Sequence, residues 1–281
     1  MVYLILAVAA SSLVSVLMRL SEDHVKNNYA MFMANYFVCS AIAFCFAADK
    51  LPLASTEGLP FALGLGLFSG CCFLLNFVLL KKCIGKNGVM LSSVFMKLGV
   101  IVPTLMAIIA FGEKPGALQL IGLAVAVAAI LVIYIEPSGV RAAASGGALL
   151  LALLLLASGV TESMTNIYDK VGVKDLKDLF LLFNFGTAML LSAVITAVRH
   201  KPIGWKDIAF GAMIGVPNYF TSRCLLLSLG SMPAVVVYPI YNIGAIVLIS
   251  IAGMLLFKER LGARKLVGVG LILAALVLLS I

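Results

Sequence analysis

The sequence predicts an all-α integral membrane protein, with ten transmembrane helices arranged as two inverted five-helix repeats. Three observations predict it. Hydrophobic residues make up 63% of the 281 residues and charged residues only 11%, with a mean hydropathy of +1.17. No soluble domain hides that much apolar surface, so the solvent is largely lipid. Ten segments reach the roughly 20 apolar residues that a spanning helix needs, and the two halves of the chain echo each other.

The segments run over 2–20, 29–48, 59–82, 87–111, 116–135, 146–171, 178–198, 205–229, 233–257 and 262–280. The gaps are too short for an extramembrane domain. The opening Met-Val-Tyr-Leu carries no basic stretch and reads as a first spanning helix, not a removable signal. A net charge of +8 would suggest nucleic acid in a soluble protein, but here the basic residues sit mainly in short loops. Lipid headgroups and topology explain them better. The six cysteines lack C-x-x-C spacing and read as small hydrophobes between helices. With only His24 and His200 available, no metal is expected, and no cofactor. No hydrolytic motif marks an enzyme.

The repeat is carried by short matches. Phe111-Gly-Glu-Lys-Pro-Gly116 and Phe257-Lys-Glu-Arg-Leu-Gly262 align Glu113 with Glu259 at an offset of 146. Asn35 in Met-Ala-Asn-Tyr matches Asn184 in Leu-Phe-Asn-Phe at an offset of 149. The chain therefore divides into 1–136 and 146–281. Five helices per half is an odd number, so the second copy enters the membrane the opposite way. Segments 116–135 and 262–281 carry almost no polar side chain within them. With Gly122, Gly268 and Gly270 they read as supports or as contacts of a homodimer, the alternative being a monomer.

Polar residues recur at helical spacing on the remaining segments. In 146–171, Ser158, Glu162, Thr165 and Asp169 form one stripe, with Asn166 beside it. Segment 233–257 presents Tyr238, Tyr241 and Asn242 beside Pro239, and 205–229 presents Tyr219 and Arg223 with Asn218 and Ser222 alongside. Ser93, Lys97 and Thr104 share a face of 87–111. Ser69, Cys72, Phe73 and Asn76 lie on 59–82, and Ser12, Ser15 and Arg19 on 2–20. These faces, with Asn35 and Asn184, are expected to converge on a polar, aromatic-lined cavity. Plainer readings stand beside this one. Ser and Thr satisfy their own backbone, Asn35 and Asn184 glue helices, and Tyr238 and Tyr241 suit an interfacial belt. Glu113 and Glu259 cap or pair at helix ends, and Asp169, Lys170 and Lys174 form a solvated end.

Glu162, Lys97 and Arg223 resist the plain reading, because a charge inside an apolar segment is costly when it faces lipid. If they share one chamber, two cations against one carboxylate leave a positive charge. A ligand carboxylate or phosphate would neutralise it, while Glu162 receives an amine or a proton.

Two five-helix halves, each with a fourth helix ending in an apolar–Gly/Lys–Glu–Lys/Arg turn and a Gly-marked fifth, resemble the drug/metabolite transporter superfamily. The likeness is to its ten-helix EamA-type members and covers essentially the whole chain. It implies transport of a small solute without selecting the solute. The leading expectation is a secondary active transporter, proton- or exchange-coupled and exporting, of a small polar metabolite such as an amino acid or other zwitterion or anion. Arg223 would anchor its acidic group, Lys97 would tune the field, and Glu162 would couple. The alternatives are an exporter of organic cations or drugs and a lipid-intermediate flippase. Orientation is read two ways: thirteen Lys/Arg lie on the side of loop 258–264 and five opposite, which places both termini outside, whereas the resemblance places them in the cytoplasm.

Overall fold

The computed structural model describes residues 1–22, 24–48, 57–87, 92, 95, 96, 98–134, 147–257, 270, 271, 274 and 278. Lys97, Ser93, Glu259, Gly262 and Gly268 lie outside them, as does almost all of segment 262–281. Nine α-helices follow one another among the described residues: α1 (Val2–Ser21), α2 (Asn28–Ala47), α3 (Leu59–Asn87), α4 (Ile101–Ile109), α5 (Ala117–Tyr134), α6 (Ala148–Val171), α7 (Lys177–Arg199), α8 (Trp205–Leu229) and α9 (Ala234–Phe257). A 3-10 turn, Lys174–Leu176, leads into α7. No strand occurs among the described residues. Helix α3 runs five residues past the expected end at 82.

Five of these stretches are long and apolar enough to cross a membrane: Val2–Ser21, Asn28–Ala47, Leu59–Leu80, Leu149–Val171 and Lys174–Arg199. Several of their hydroxyls turn back on their own helices. Ser12 donates to the Val8 carbonyl at 2.7 Å, Ser40 to Tyr36 at 2.8 Å and Ser192 to Ala188 at 2.7 Å, so these polar groups carry no unmet demand into the bilayer. Ile109, Leu149 and Val198, exposed by 79%, 71% and 70%, turn outward, as lipid permits and water does not. The protein is a multi-pass membrane protein.

The described residues form two compact units. The first comprises Met1–Leu74 and Ile167–Gly230, the second Leu75–Asn166 and Ser231–Ile281; α3 and α6 each give residues to both.

In the first unit, α2 packs against α7 and α8, and α1 against α8. Glycines set the closest approaches. A Cβ on Gly66 would crowd Phe180, Phe183 and Asn184 of α7; one on Gly211 would crowd Met31, Ala34 and Asn35 of α2. Four residues on, a Cβ at Gly70 would meet the Asn184 carbonyl and one at Gly215 the Asn35 carbonyl. The glycines are 145 residues apart and each neighbour pair 149 apart. Two small-xxx-small faces therefore make the same backbone contact twice. Tyr36 and Phe185, also 149 apart, stack on each other with centroids at 6.3 Å.

Polar caps close the water-facing ends. Asp207, buried in the first turn of α8, accepts from Gly204 N and Lys26 N, both at 2.9 Å, and from Asn27 N at 3.4 Å. It ties the α1–α2 turn to the start of α8. Asp207→Ala strands three donors and is expected to destabilise the protein by about 3 kcal/mol, read as a lower thermal midpoint in detergent.

In the second unit, α9 packs on α4 and α5. Glu113 caps α9, accepting from Ala234 N at 3.1 Å and Val235 N at 3.0 Å. The capping role expected of Glu113 is thus made to a distant helix instead of its own. Ser158 donates to the Met96 carbonyl at 2.8 Å. Beside it, a Cβ on Gly159 would strike Val102.

Candidate functional site

Helix α6 turns the expected stripe inward: Ser158, Thr165 and Asn166 are buried, and Glu162 is half-buried. In the second unit, Glu162 meets α9. Asn242 shares its amide N–H between both carboxylate oxygens, at 3.3 and 3.2 Å, and reaches the Tyr238 carbonyl at 3.2 Å. The Tyr238 hydroxyl donates to the backbone carbonyl of Glu162 at 2.7 Å. Tyr238 and Asn242 are fully buried and Tyr241 nearly so. The i, i+4 spacing of Tyr238 and Asn242 sets them one turn apart on one face of α9. One turn beyond Glu162, the buried Asn166 amide has no hydrogen-bond partner on either atom among the described residues, and neither has the Asn76 carbonyl oxygen of α3. The arrangement offers an ionisable oxygen pair inside a spanning helix with the Asn242 amide on both oxygens, which can take a proton or an amine.

The first unit holds a different constellation. Arg223 of α8 pairs with Asp178 of α7 at 3.3 Å, and its guanidinium lies 3.6 Å from the Phe46 ring centre. Phe46 in turn stacks on Tyr219 at 5.9 Å, and Tyr219 neighbours Phe185 at 6.2 Å. Cation, ring and ring are layered. Asn218 donates to Asn35 at 3.2 Å, which is the gluing role, while the buried Asn184 side-chain oxygen has no partner among the described residues. Ser15 donates to the Ser11 carbonyl at 3.1 Å, so its hydroxyl serves α1 itself.

The structure thus brings together Glu162, Tyr238 and Asn242 in one unit, and Arg223 with Tyr219 in the other. It gives Arg223 a carboxylate of its own, Asp178, which the expected count of two cations against one carboxylate did not include. The solvated end expected around Asp169 is also revised: its carboxylate is only 7% exposed and accepts from Lys177 at 2.8 Å. Sequence reasoning passed over Asp178 and Phe46. Asp178 sits at the margin of its apolar segment, where a charge looks interfacial, and Phe46 is one phenylalanine among sixteen.

The Asp178–Arg223 pair carries its own prediction. Asp178→Asn leaves a largely buried guanidinium without its carboxylate and is expected to destabilise by about 3 kcal/mol. The charge-neutral pair Asp178→Asn/Arg223→Gln should recover most of that, and a double-mutant cycle on thermal unfolding checks both.

Two family models match this chain. The EamA-like transporter family matches residues 1–135, and the small multidrug resistance protein family matches residues 203–272. Both matched families are membrane transporters, and the first half of the chain resembles the EamA-like one. The chain is 25% identical to an uncharacterized protein of Haemophilus influenzae over 288 residues, covering 97% of this chain and 95% of the relative. Its fold is shared by a protein of known crystal structure at a TM-score of 0.76 and 11% identity, over 99% of this chain and 94% of that one. The two family matches point to a membrane transporter, the class in which an intramembrane carboxylate has work to do.

Proposed function

We propose that this protein is a secondary active transporter of a small polar metabolite, an amino acid or other zwitterion or anion. It works as a proton- or exchange-coupled exporter. Glu162 carries the reading. A carboxylate inside a spanning helix, with Asn242 bridging both its oxygens, is held where its charge matters most. Glu162 takes the amine of the solute or a proton, Asn242 orients the carboxylate, and Tyr238 fixes α9 against the backbone of α6. Asn166 and Asn76 supply further donors and acceptors to a polar solute. No catalytic role is assigned, since both matched families are transporters.

The twin glycine faces of the first unit support a chain built as two five-helix repeats, 1–136 and 146–281, with ten spans. The duplicated contact swaps halves: α3 packs on α7 and α8 on α2, as a two-fold relation requires. The EamA match ends at 135, beside the proposed junction. Both termini then lie on one side, which the charge count makes the outside. A cysteine at Lys201, in the basic α7–α8 turn, should resist a membrane-impermeant thiol reagent in intact cells; rapid labelling would reverse the orientation.

Initial rates in proteoliposomes, over a panel of amino acids, carboxylic acids and quaternary amines under imposed pH gradients, test the transport reading. Gradient-driven flux of an amino acid or related acid is expected. The small multidrug resistance match over 203–272 favours a second reading, export of an organic cation held by Glu162. Flux of quaternary amines alone would select it, and no flux across the panel would remove both.

A further inference from the structure

We propose that the end of the first unit where α6, α7 and α8 meet is a docking site for a single carboxylate or phosphate group. A cavity of about 110 Å³ is lined there by Lys174, Lys177, Asp178 and Arg223, with Leu181 and Leu226 as apolar wall. Three cations share that wall with one carboxylate. Two of them are anchored: Arg223 by Asp178 at 3.3 Å, and Lys177 by Asp169 at 2.8 Å. Gly230 lets the second pair sit close, since a Cβ there would stand 3.1 Å from the Lys177 ammonium. Lys174, exposed on the 3-10 turn, makes no ion pair among the described residues.

Counting Asp169, three cations face two carboxylates, so the site carries one positive charge in excess. One anionic group balances it. The cavity has room for such a group, and the leucines can cover the first carbons of whatever carries it. Arg223 can present two N–H groups to a planar or tetrahedral oxyanion while still held by Asp178. The excess charge also draws anions toward this end of the transporter, an effect that salt screens. The group belongs either to a water-borne solute or to an anionic lipid headgroup. The inference deepens the transport reading, because it gives an anionic solute a first place to bind at this end of the first unit. It rests on that reading only for the solute's identity.

Thermal unfolding of the purified protein in detergent tests it, with sodium acetate or phosphate compared against sodium chloride at equal ionic strength. A saturable stabilisation by acetate or phosphate beyond chloride is expected. Lys174→Gln, an exposed change, should weaken the apparent affinity about threefold, and the neutral pair Arg223→Gln/Asp178→Asn should abolish the response. Glu162→Gln should leave it intact, so failure of the transport reading is separable from failure of this one. Repeating the titration in phosphatidylcholine nanodiscs with and without phosphatidylglycerol identifies the source. Suppression by phosphatidylglycerol assigns the site to a headgroup, and persistence assigns it to a solute. Equal shifts in chloride, or an unchanged response in Lys174→Gln, would overturn the proposal.

Discussion

Glu162→Gln is expected to lower solute flux about a hundredfold, the effect of losing an interaction of about 2.8 kcal/mol, while the protein still folds. The substitution is nearly isosteric. A glutamine oxygen can still accept from Asn242, and the Tyr238 bond goes to the Glu162 backbone, which the change does not touch. What disappears is the charge, and with it the place for a proton or an amine. Initial rates in proteoliposomes measure the loss, and an unchanged thermal midpoint and elution profile show that folding is intact. Glu162→Asp, which keeps the charge but withdraws it by one methylene, should fall between the two. Full flux in Glu162→Gln would take the carboxylate out of the mechanism.

Valine at Gly70 or at Gly215 is expected to destabilise the protein by about 1–3 kcal/mol at either site. Each glycine lies where a Cβ would run into a carbonyl oxygen of the facing helix, Asn184 for Gly70 and Asn35 for Gly215. The obstacle is backbone, so the helices must separate along the contact and no side chain can swing aside. In lipid that contact has no hydrophobic drive behind it, and close packing supplies the attraction. Similar losses at the two positions would reflect their duplicated surroundings. Gly64 is the control: a Cβ there meets nothing within 4 Å, and Gly64→Ala should be neutral or stabilising by up to about 1 kcal/mol. Thermal midpoints in one detergent measure all three variants.

Much of this was legible in the sequence, for physical reasons that differ by residue. The lipid solvent was plain from composition, because no polar surface remained to face water. The α6 stripe and the Tyr238/Asn242 face were plain because helical periodicity survives any packing arrangement. The pairing of Asn35 with Asn184 was legible as a repeat offset, and Gly66, Gly70, Gly211 and Gly215 carried the same signal at an offset of 145 without being read. Small residues are common in apolar segments, and only packing reveals which of them touch.

The partner of Arg223 was not legible. Asp178 is 45 residues away, at the first turn of another helix, and nothing in local spacing links the two. Asp169, with Lys170 and Lys174, looked like a wet helix end because charges at segment margins usually face solvent, yet the turn between α6 and α7 folds Lys177 onto Asp169. Glu113 was read correctly as a cap, but the helix it caps begins 121 residues later. Long-range polar pairs of this kind depend on how helices are arranged, which periodicity does not encode.

The account centres on Glu162 as the group that meets the solute or the proton within the membrane. Dicyclohexylcarbodiimide, which partitions into bilayers and modifies protonated carboxyls, tests this directly when adducts are quantified by mass spectrometry. Modification of Glu162 is expected, together with protection by whichever panel compound stabilises the purified protein. Equal modification of Glu162 with and without that compound would contradict the account.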